Sequence, residues 1–281
     1  MSSTEIEALN LPEGEIKTLI DNIKKNYGFD FSGYAIGSFS RRIARFMEVN
    51  KITSIAQLTP LIKDKVAFTS FLNAVTVNTT ELFRDPSMWV FLKDKILPRL
   101  FEKNERVKIW HAACSSGEEV VSMVILLKEL NLLHKAEILG TDINTEILEQ
   151  AKAATYLSWR LPHYQKNLEV VFPGKKAENY FSKVENKLVF KMDEYKNVRF
   201  KNFDLVLDTS FSQFNLVLCR NVLIYFDQEQ QENIILKLNG ALEPKGYLVL
   251  GAQESIDWHK SSDEFMSISN DNKIYRKFKG Q

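Results

Sequence analysis

The sequence predicts an α/β domain built on a mostly parallel sheet, preceded by a small all-α domain. Three observations lead there. From Val107 onward, short apolar runs alternate with longer helical segments, whereas roughly the first 80 residues hold helical patterns and little strand-like alternation. The apolar runs lack polar alternation, as strands covered on both faces do. Repetition of strand and helix argues for parallel strands joined by crossover helices. At 281 residues the chain is long enough for two domains, each with its own core.

Taken in order, the first telling stretch is SFSRRIARFMEVN. Phe39, Ile43, Phe46 and Met47 recur at offsets of 4, 7 and 8 and share one helical face. Arg41, Arg42 and Arg45 fall opposite, as a solvated basic back or as a docking surface for an acidic partner. Val107–Trp110 reads as a strand, Gly117–Leu130 as a helix, Ala136–Gly140 as a second strand and Asn144–Ala154 as a second helix. The stretch from Thr155 to Phe200 is too long for a simple connection. It is expected to hold a helix and a small hairpin, with Leu188–Met192 and Asn197–Phe200 as the strands. Phe203–Leu207 reads as a strand-like piece, Phe214–Cys219 as a strand, Asp227–Leu242 as a helix and Gly246–Gly251 as a strand. Lys273–Phe278 would be a final edge strand. The domains expected are therefore 1–75 (all-α), 76–106 (linker and interdomain helix) and 107–281 (α/β, with a small β insert at about 155–200).

Composition narrows the function classes. Charged residues nearly cancel, leaving a formal net charge of +1, so no global field draws the chain to nucleic acid or to an anionic membrane. The two cysteines, Cys114 and Cys219, have no metal-ligand spacing, and neither do the four histidines. No metal site is expected. The acidic start lacks the apolar core of a secretory signal, and no apolar run approaches the length of a membrane span. A cytoplasmic protein is the expectation.

Chemistry concentrates in WHAACSSGEE, residues 110–119. In open α/β sheets, ligands bind beyond the carboxyl ends of the strands, near the first crossover. Here small residues keep the backbone approachable, and Asp142 ends the second strand 24 residues after Glu118. An acid in that place can accept hydrogen bonds from both hydroxyls of a ribose. With one glycine and a carboxylate at the helix start, the turn is not a pyrophosphate-binding fingerprint. Carboxylates there suit a cationic ligand, and S-adenosylmethionine offers a ribose, an adenine, an ammonium and a sulfonium without phosphate. Glu118 and Glu119 could equally be first-turn residues that complement the helix dipole.

At this point the chain resembles the CheR family, chemotaxis receptor methyltransferases that esterify receptor glutamates using S-adenosylmethionine. The likeness is carried by NTTELFRD (78–85), WHAACSSGEE, ILGTDINTEILEQA (138–151) and LCRNVLIYFDQEQQ (218–231), with GYLVLGAQES (246–255) as a fifth element. It implies a Rossmann-like S-adenosylmethionine-dependent methyltransferase domain with a small β-subdomain insert. The family likeness further implies that Asn78, Thr80 and Arg84 reach the cofactor from the interdomain segment. Glu118 would hold its methionine end, Asp142 its ribose, and Asp204 and Leu205 its adenine. Arg220 and Asn221 would close the pocket, and Tyr225, with Arg84, would stand at the transferring methyl. S-adenosylhomocysteine would be the product, and the cytoplasmic domain of a membrane chemoreceptor the substrate.

The sequence departs from the family pattern at His111, at Val120-Val121, where Pro-Tyr is usual, and at Ala252-Gln253. These changes keep open a non-catalytic S-adenosylmethionine-binding module. A nucleic-acid or small-molecule methyltransferase is disfavoured, because CRNVLIYF stands where Asn-Pro-Pro-Tyr would be expected. The stretch YFSKVENKLVF (180–190) is short and lacks glycine, which argues against docking through a receptor's tethered tail peptide. Receptor contact would then fall to Arg41, Arg42 and Arg45.

Overall fold

The computed structural model describes residues 11–76, 79–209 and 213–278, which fall into two compact units. The smaller unit holds four helices: α1 (Glu13–Tyr27), α2 (Ile36–Val49), α3 (Ile55–Leu61) and α4 (Lys65–Val75). Polar residues set their ends. The Ser54 hydroxyl accepts from Gln57 N and starts α3, and the Asp64 carboxylate accepts from Val66 N and Ala67 N and starts α4. Gly28, at φ +77°, ends α1 in the left-handed conformation that glycine adopts without strain.

Phe39, Ile43, Phe46 and Met47 are all buried, so the predicted stripe of α2 faces the core. Its basic back is only partly as expected. Arg41 and Arg45 are exposed, but Arg42 is half-buried. It donates to Val75 O at 2.9 Å and to the Ser38 hydroxyl at 3.2 Å, and its guanidinium lies 4.1 Å from the centre of the Tyr225 ring. The cause is helical geometry: Arg42 lies three positions after Phe39, beside the apolar stripe and not across from it.

Tyr225–Gln231 belongs to this same unit. Tyr34 and Phe226 form an isolated antiparallel bridge, Tyr225 O accepts from Ala35 N at 2.9 Å, and Asp227 N donates to Gly33 O at 2.9 Å. A side chain at Gly33 would collide with Gln230, so the two segments meet at backbone distance.

The larger unit opens with α5 (Pro86–Phe91), a π-helical turn over Leu92–Ile96, and α6 (Leu97–Lys103). Next come β1 (Val107–Ala112), α7 (Glu118–Glu129), β2 (Ala136–Asp142), α8 (Thr145–Ala153), β3 (Thr155–Leu157) and α9 (Leu161–Val171). They are followed by β4 (Phe181–Val184), β5 (Lys187–Phe190), β6 (Val198–Asn202) and β7 (Phe214–Cys219). The chain then passes through α10 (Gln228–Ala241), β8 (Leu242–Leu250), β9 (Phe265–Ser269) and β10 (Ile274–Lys277). Seven strands form one sheet in the order β6-β2-β1-β7-β8-β10-β9. The first five run parallel, and β10 pairs antiparallel with both β8 and β9. Nine of the twelve residues of α7 are buried, and they include Val120 and Val121. Among the described residues no helix is long and apolar enough to cross a membrane.

Three expectations about strands are corrected. Asn197–Phe200 does not belong to the insert's hairpin. Val198–Asn202 is the edge strand β6, in register with β2 from Ile138 to Asp142. The insert instead forms its own three-stranded sheet, β3-β5-β4. Phe203–Leu207 is a turn: the Asp204 carboxylate accepts from Val206 N and Leu207 N, which offers the backbone an alternative to a ladder. The last strand is not at the edge, because β9 covers its outer side.

Candidate functional site

β1 lies between β2 and β7, so the connections leave it in opposite directions and open a crevice at the carboxyl ends of the strands. The turn after Ala112 lies in that crevice. Ala113, Ser115 and Gly117 all have positive φ, at 58°, 50° and 86°. A conformation so costly for non-glycine residues persists only where its surroundings hold it. Cys114 N donates to Thr141 O at 2.8 Å, Ser115 N to the Asp142 carboxylate at 2.8 Å, and Gly117 N to Cys114 O at 3.1 Å. Gly117 is required twice over. Its φ is left-handed, and a Cβ there would lie 2.9 Å from that of Ala151 on α8.

The turn delivers Glu118 to the first position of α7 with no exposed surface. Its carboxylate accepts from the Ser116 hydroxyl at 2.6 Å, from Arg160 at 2.5 Å and from the Tyr164 hydroxyl at 3.1 Å. Burial nevertheless pushes its pKa above the ordinary glutamate value. Arg160 also donates to Thr80 O at 3.2 Å, which joins the segment before Arg84 to Glu118. Arg160 and Tyr164 are residues that sequence reasoning missed. Their only signal is a spacing of four, which puts both on one side of the helical insert.

Glu119 faces a different set. It takes a hydrogen bond from His111 Nδ1 at 2.8 Å and pairs with Arg220 at 2.9 Å. Burial alone would raise its pKa, but the His111 bond and the Arg220 charge outweigh it and hold the carboxyl low. Arg220, at the end of β7, also pairs with Asp85 at 2.8 Å and donates to Arg84 O at 3.1 Å. Only 2% of its side chain is exposed, and its two terminal nitrogens hold Glu119 and the turn that bears Arg84. Phe83 and Asp85, on either side of Arg84, have positive φ. That turn is pinned by the Ser122 hydroxyl, which accepts from Phe83 N at 2.7 Å and donates to Glu118 O at 2.7 Å. The Arg84 side chain reaches back to Thr79 O at 3.3 Å.

Asp142 ends β2 as expected. Its two oxygens accept from Ser115 N and Asn144 N, and burial raises its pKa. Phe203 N donates to Asp142 O at 3.1 Å, which brings Asp204 and Leu205 to the neighbouring strand end. Asn221, at φ +59°, follows β7, and Glu254 collects Asn221 N, Val222 N, Leu223 N and Gly251 N. Thr80, Arg84, Glu118, Asp142, Asp204, Leu205, Arg220 and Asn221 thus all belong to the larger unit. Tyr225 belongs to the helical unit, under Arg42, and Asn78 lies outside the described residues.

A nucleoside carrying a positive charge fits this donor set. One buried carboxylate, Glu118, stands at the start of α7 and another, Asp142, at the end of β2, and the Ser115 hydroxyl of the same turn is buried without a hydrogen-bond partner among the described residues. No phosphate cradle is formed, because Glu118 occupies the helix start.

Comparison with known proteins decides the matter. A family profile described as "CheR methyltransferase, SAM binding domain" matches residues 78–274, and "CheR methyltransferase, all-alpha domain" matches residues 14–76. The chain belongs to the CheR family. Its cofactor is therefore S-adenosylmethionine, and its fold is a Rossmann-like S-adenosylmethionine-dependent methyltransferase domain preceded by an all-α domain. Among CheR relatives, Cher3 of Pseudomonas putida, provisionally named a methyltransferase, is 33% identical over 94% of this chain and 96% of its own. The "Chemotaxis protein methyltransferase" of Borreliella burgdorferi is 29% identical over 92% and 94%. "Chemotaxis protein methyltransferase 1" of Pseudomonas aeruginosa is 32% identical over 78% and 81%. Of the places where this CheR chain departs from the family pattern, two are packed, whereas Ala252 and Gln253 are exposed. Val120 and Val121 lie in the hydrophobic core, and His111 is fully buried against Glu119.

Proposed function

We propose that this protein transfers the methyl group of S-adenosylmethionine to glutamate side chains of chemoreceptor cytoplasmic domains, forming methyl esters. The observation that carries the reading is the buried Glu118 carboxylate at the crossover, beside a strand-end Asp142, in a chain matched along its length by CheR profiles. Its relatives named as chemotaxis methyltransferases support the receptor as substrate.

The chemistry asks little of the protein beyond position. A glutamate acceptor, with an ordinary pKa of about 4.3, is already ionised at neutral pH, so no strong general base is needed. The bound cofactor supplies an electrophilic methyl on a positively charged sulfur. Glu118 would hold the cationic methionine end and Asp142 the ribose hydroxyls, with Asn78 and Thr80 beside them. Asp204 and Leu205 would flank the adenine, and Asn221 would border the pocket. Arg220 would act through the Arg84 turn that it braces. Arg84 and Tyr225 would orient the acceptor oxygen for in-line attack while the site strips water from it. Arg84→Ala is expected to lower kcat about a hundredfold or more, as for loss of one group that stabilises the transition state. Kinetics at saturating cofactor test this, and an unchanged kcat would remove Arg84 from the acceptor's surroundings.

The receptor would dock on Arg41 and Arg45, the two exposed cations of α2, without need of a tethered tail. Rim charges act chiefly on encounter. The double variant Arg41→Glu/Arg45→Glu is therefore expected to raise KM for receptor several-fold, more so at low salt, and to leave kcat alone. Tight, specific binding of a receptor-tail peptide would contradict this mode of docking.

A further inference from the structure

The amino ends of the strands carry a second concave surface. A cavity of about 550 Å³ lies there, inside the range of roughly 300–1,000 Å³ usual for small-molecule sites. Into it converge Arg99 and Lys103 of α6, Arg106 from the following loop, Lys108 of β1, Lys245 of β8 and Arg276 of β10. Glu243 is the one carboxylate in the lining. The whole chain carries a net charge of only +1, so this concavity gathers positive charge far beyond the average. Arg106 pairs with Glu137 at 2.9 Å, whereas Arg99, Lys103, Lys108 and Lys245 have no ion pair among the described residues.

The scaffold beneath these cations is fixed. Lys245 is held at φ +68°, and the adjoining Gly246 packs so closely that a Cβ there would lie 2.9 Å from Glu243 O and 3.2 Å from Asn215 O. Arg276 donates through Nε to Lys245 O at 3.2 Å and lies 5.5 Å from the centre of the Tyr247 ring. The Asn215 side chain accepts from Lys108 N at 2.8 Å, which ties β7 to β1 at the floor. Register places Arg276 opposite Tyr247, which in turn pairs with Leu216 in the first half of β7. Glu118 and Asp142 stand at the carboxyl ends, a strand length of roughly 17 Å away at about 3.3 Å per residue. No cofactor held there also fills this cavity.

We propose that this cavity binds a small-molecule polyphosphate of the nucleoside di- or triphosphate class. Cations drawn from three separate stretches of the chain, 99–108, 245 and 276, repel one another, and a multiply charged anion between them relieves that repulsion. A single phosphate is too small to span them, and a chain of phosphates is not. Because the cations face into one concavity and do not run along a face, the surface does not suit extended nucleic acid.

Calorimetric titration of the full chain with ATP and, separately, with inorganic triphosphate tests the proposal. Each titration is run at low and physiological salt, with and without saturating S-adenosylhomocysteine. One-site binding is expected that weakens as salt rises and is indifferent to S-adenosylhomocysteine. It should fall at least tenfold in Lys245→Glu and in Lys103→Glu, both exposed and on different elements. Tighter binding of ATP would assign the nucleoside a share of the contact, and equal binding would assign the phosphate chain alone; both support the site. Three results would overturn it: no binding of either probe by protein that still binds S-adenosylhomocysteine, loss of binding when S-adenosylhomocysteine is added, or tighter binding of a single-stranded oligonucleotide.

Discussion

Glu118 is the residue on which the cofactor reading turns, and its environment fixes a sign. Burial raises its folded pKa above the ordinary 4.5. A carboxyl shifted this way favours folding when it is protonated, at pH below the ordinary value, and that contribution is lost as pH rises through the folded pKa. Attraction for a cationic ligand runs the other way, because only ionised Glu118 provides it. Affinity for S-adenosylmethionine is therefore expected to keep climbing with pH above the range in which an ordinary glutamate has finished ionising. Glu118→Gln should weaken binding about ten- to hundredfold, the scale of a charged hydrogen bond, and flatten the pH profile. Titration calorimetry of both proteins through and above that range checks this. A pH-independent affinity in the unsubstituted protein would contradict it. The sequence showed Glu118 and Asp142 because a strand end and a helix start are local features. It could not show Arg160 and Tyr164, which reach Glu118 across 42 and 46 residues from an insert whose placement against α7 is not a local feature.

At the level of elements, the end of β7 governs two turns at once. Arg220 joins Glu119 on α7 to Asp85 beside Arg84. Arg220→Ala would leave the largely buried Glu119 carboxylate without its cation, while the more exposed Asp85 keeps its water, and a loss of about 3 kcal/mol in urea unfolding is expected. The Glu119 pKa is held below the ordinary value, so its contribution is present above pH 4.5 and is lost as pH falls through the folded pKa. The stability gap between the two proteins should therefore narrow on acidification, and a gap that stays constant with pH would contradict the pairing. Strands were harder to read than turns. Val198–Asn202 has the apolar alternation of either an insert strand or a sheet edge, and only the fit of Phe200 over Gly140 selects the sheet. In Phe203–Leu207 the apolar residues suggested a strand, but one carboxylate, Asp204, took the amides that a ladder would have used.

For the molecule as a whole, two units were legible because helical spacing before residue 80 and strand–helix alternation after 107 are long-range patterns. The sharing of Tyr225–Gln231 with the N-terminal unit was not. In the sequence that segment reads as the continuation of CRNV, and only backbone bonds from Ala35 and to Gly33 assign it to the helices. The arrangement makes Tyr225 part of a unit other than the one bearing Glu118 and Asp142, so methyl transfer has to be measured on the intact chain. The most direct test is transfer of labelled methyl from S-adenosylmethionine to membranes carrying a matched chemoreceptor, scored by release of label in mild alkali. Carboxyl methyl esters release methanol there, and N-methyl groups do not. Alkali-labile label that disappears in Asp142→Ala and in a receptor whose acceptor glutamates are replaced by alanine is the expected result. Alkali-stable label, or no transfer by protein that binds S-adenosylmethionine, would contradict the proposal that this chain methylates protein glutamates.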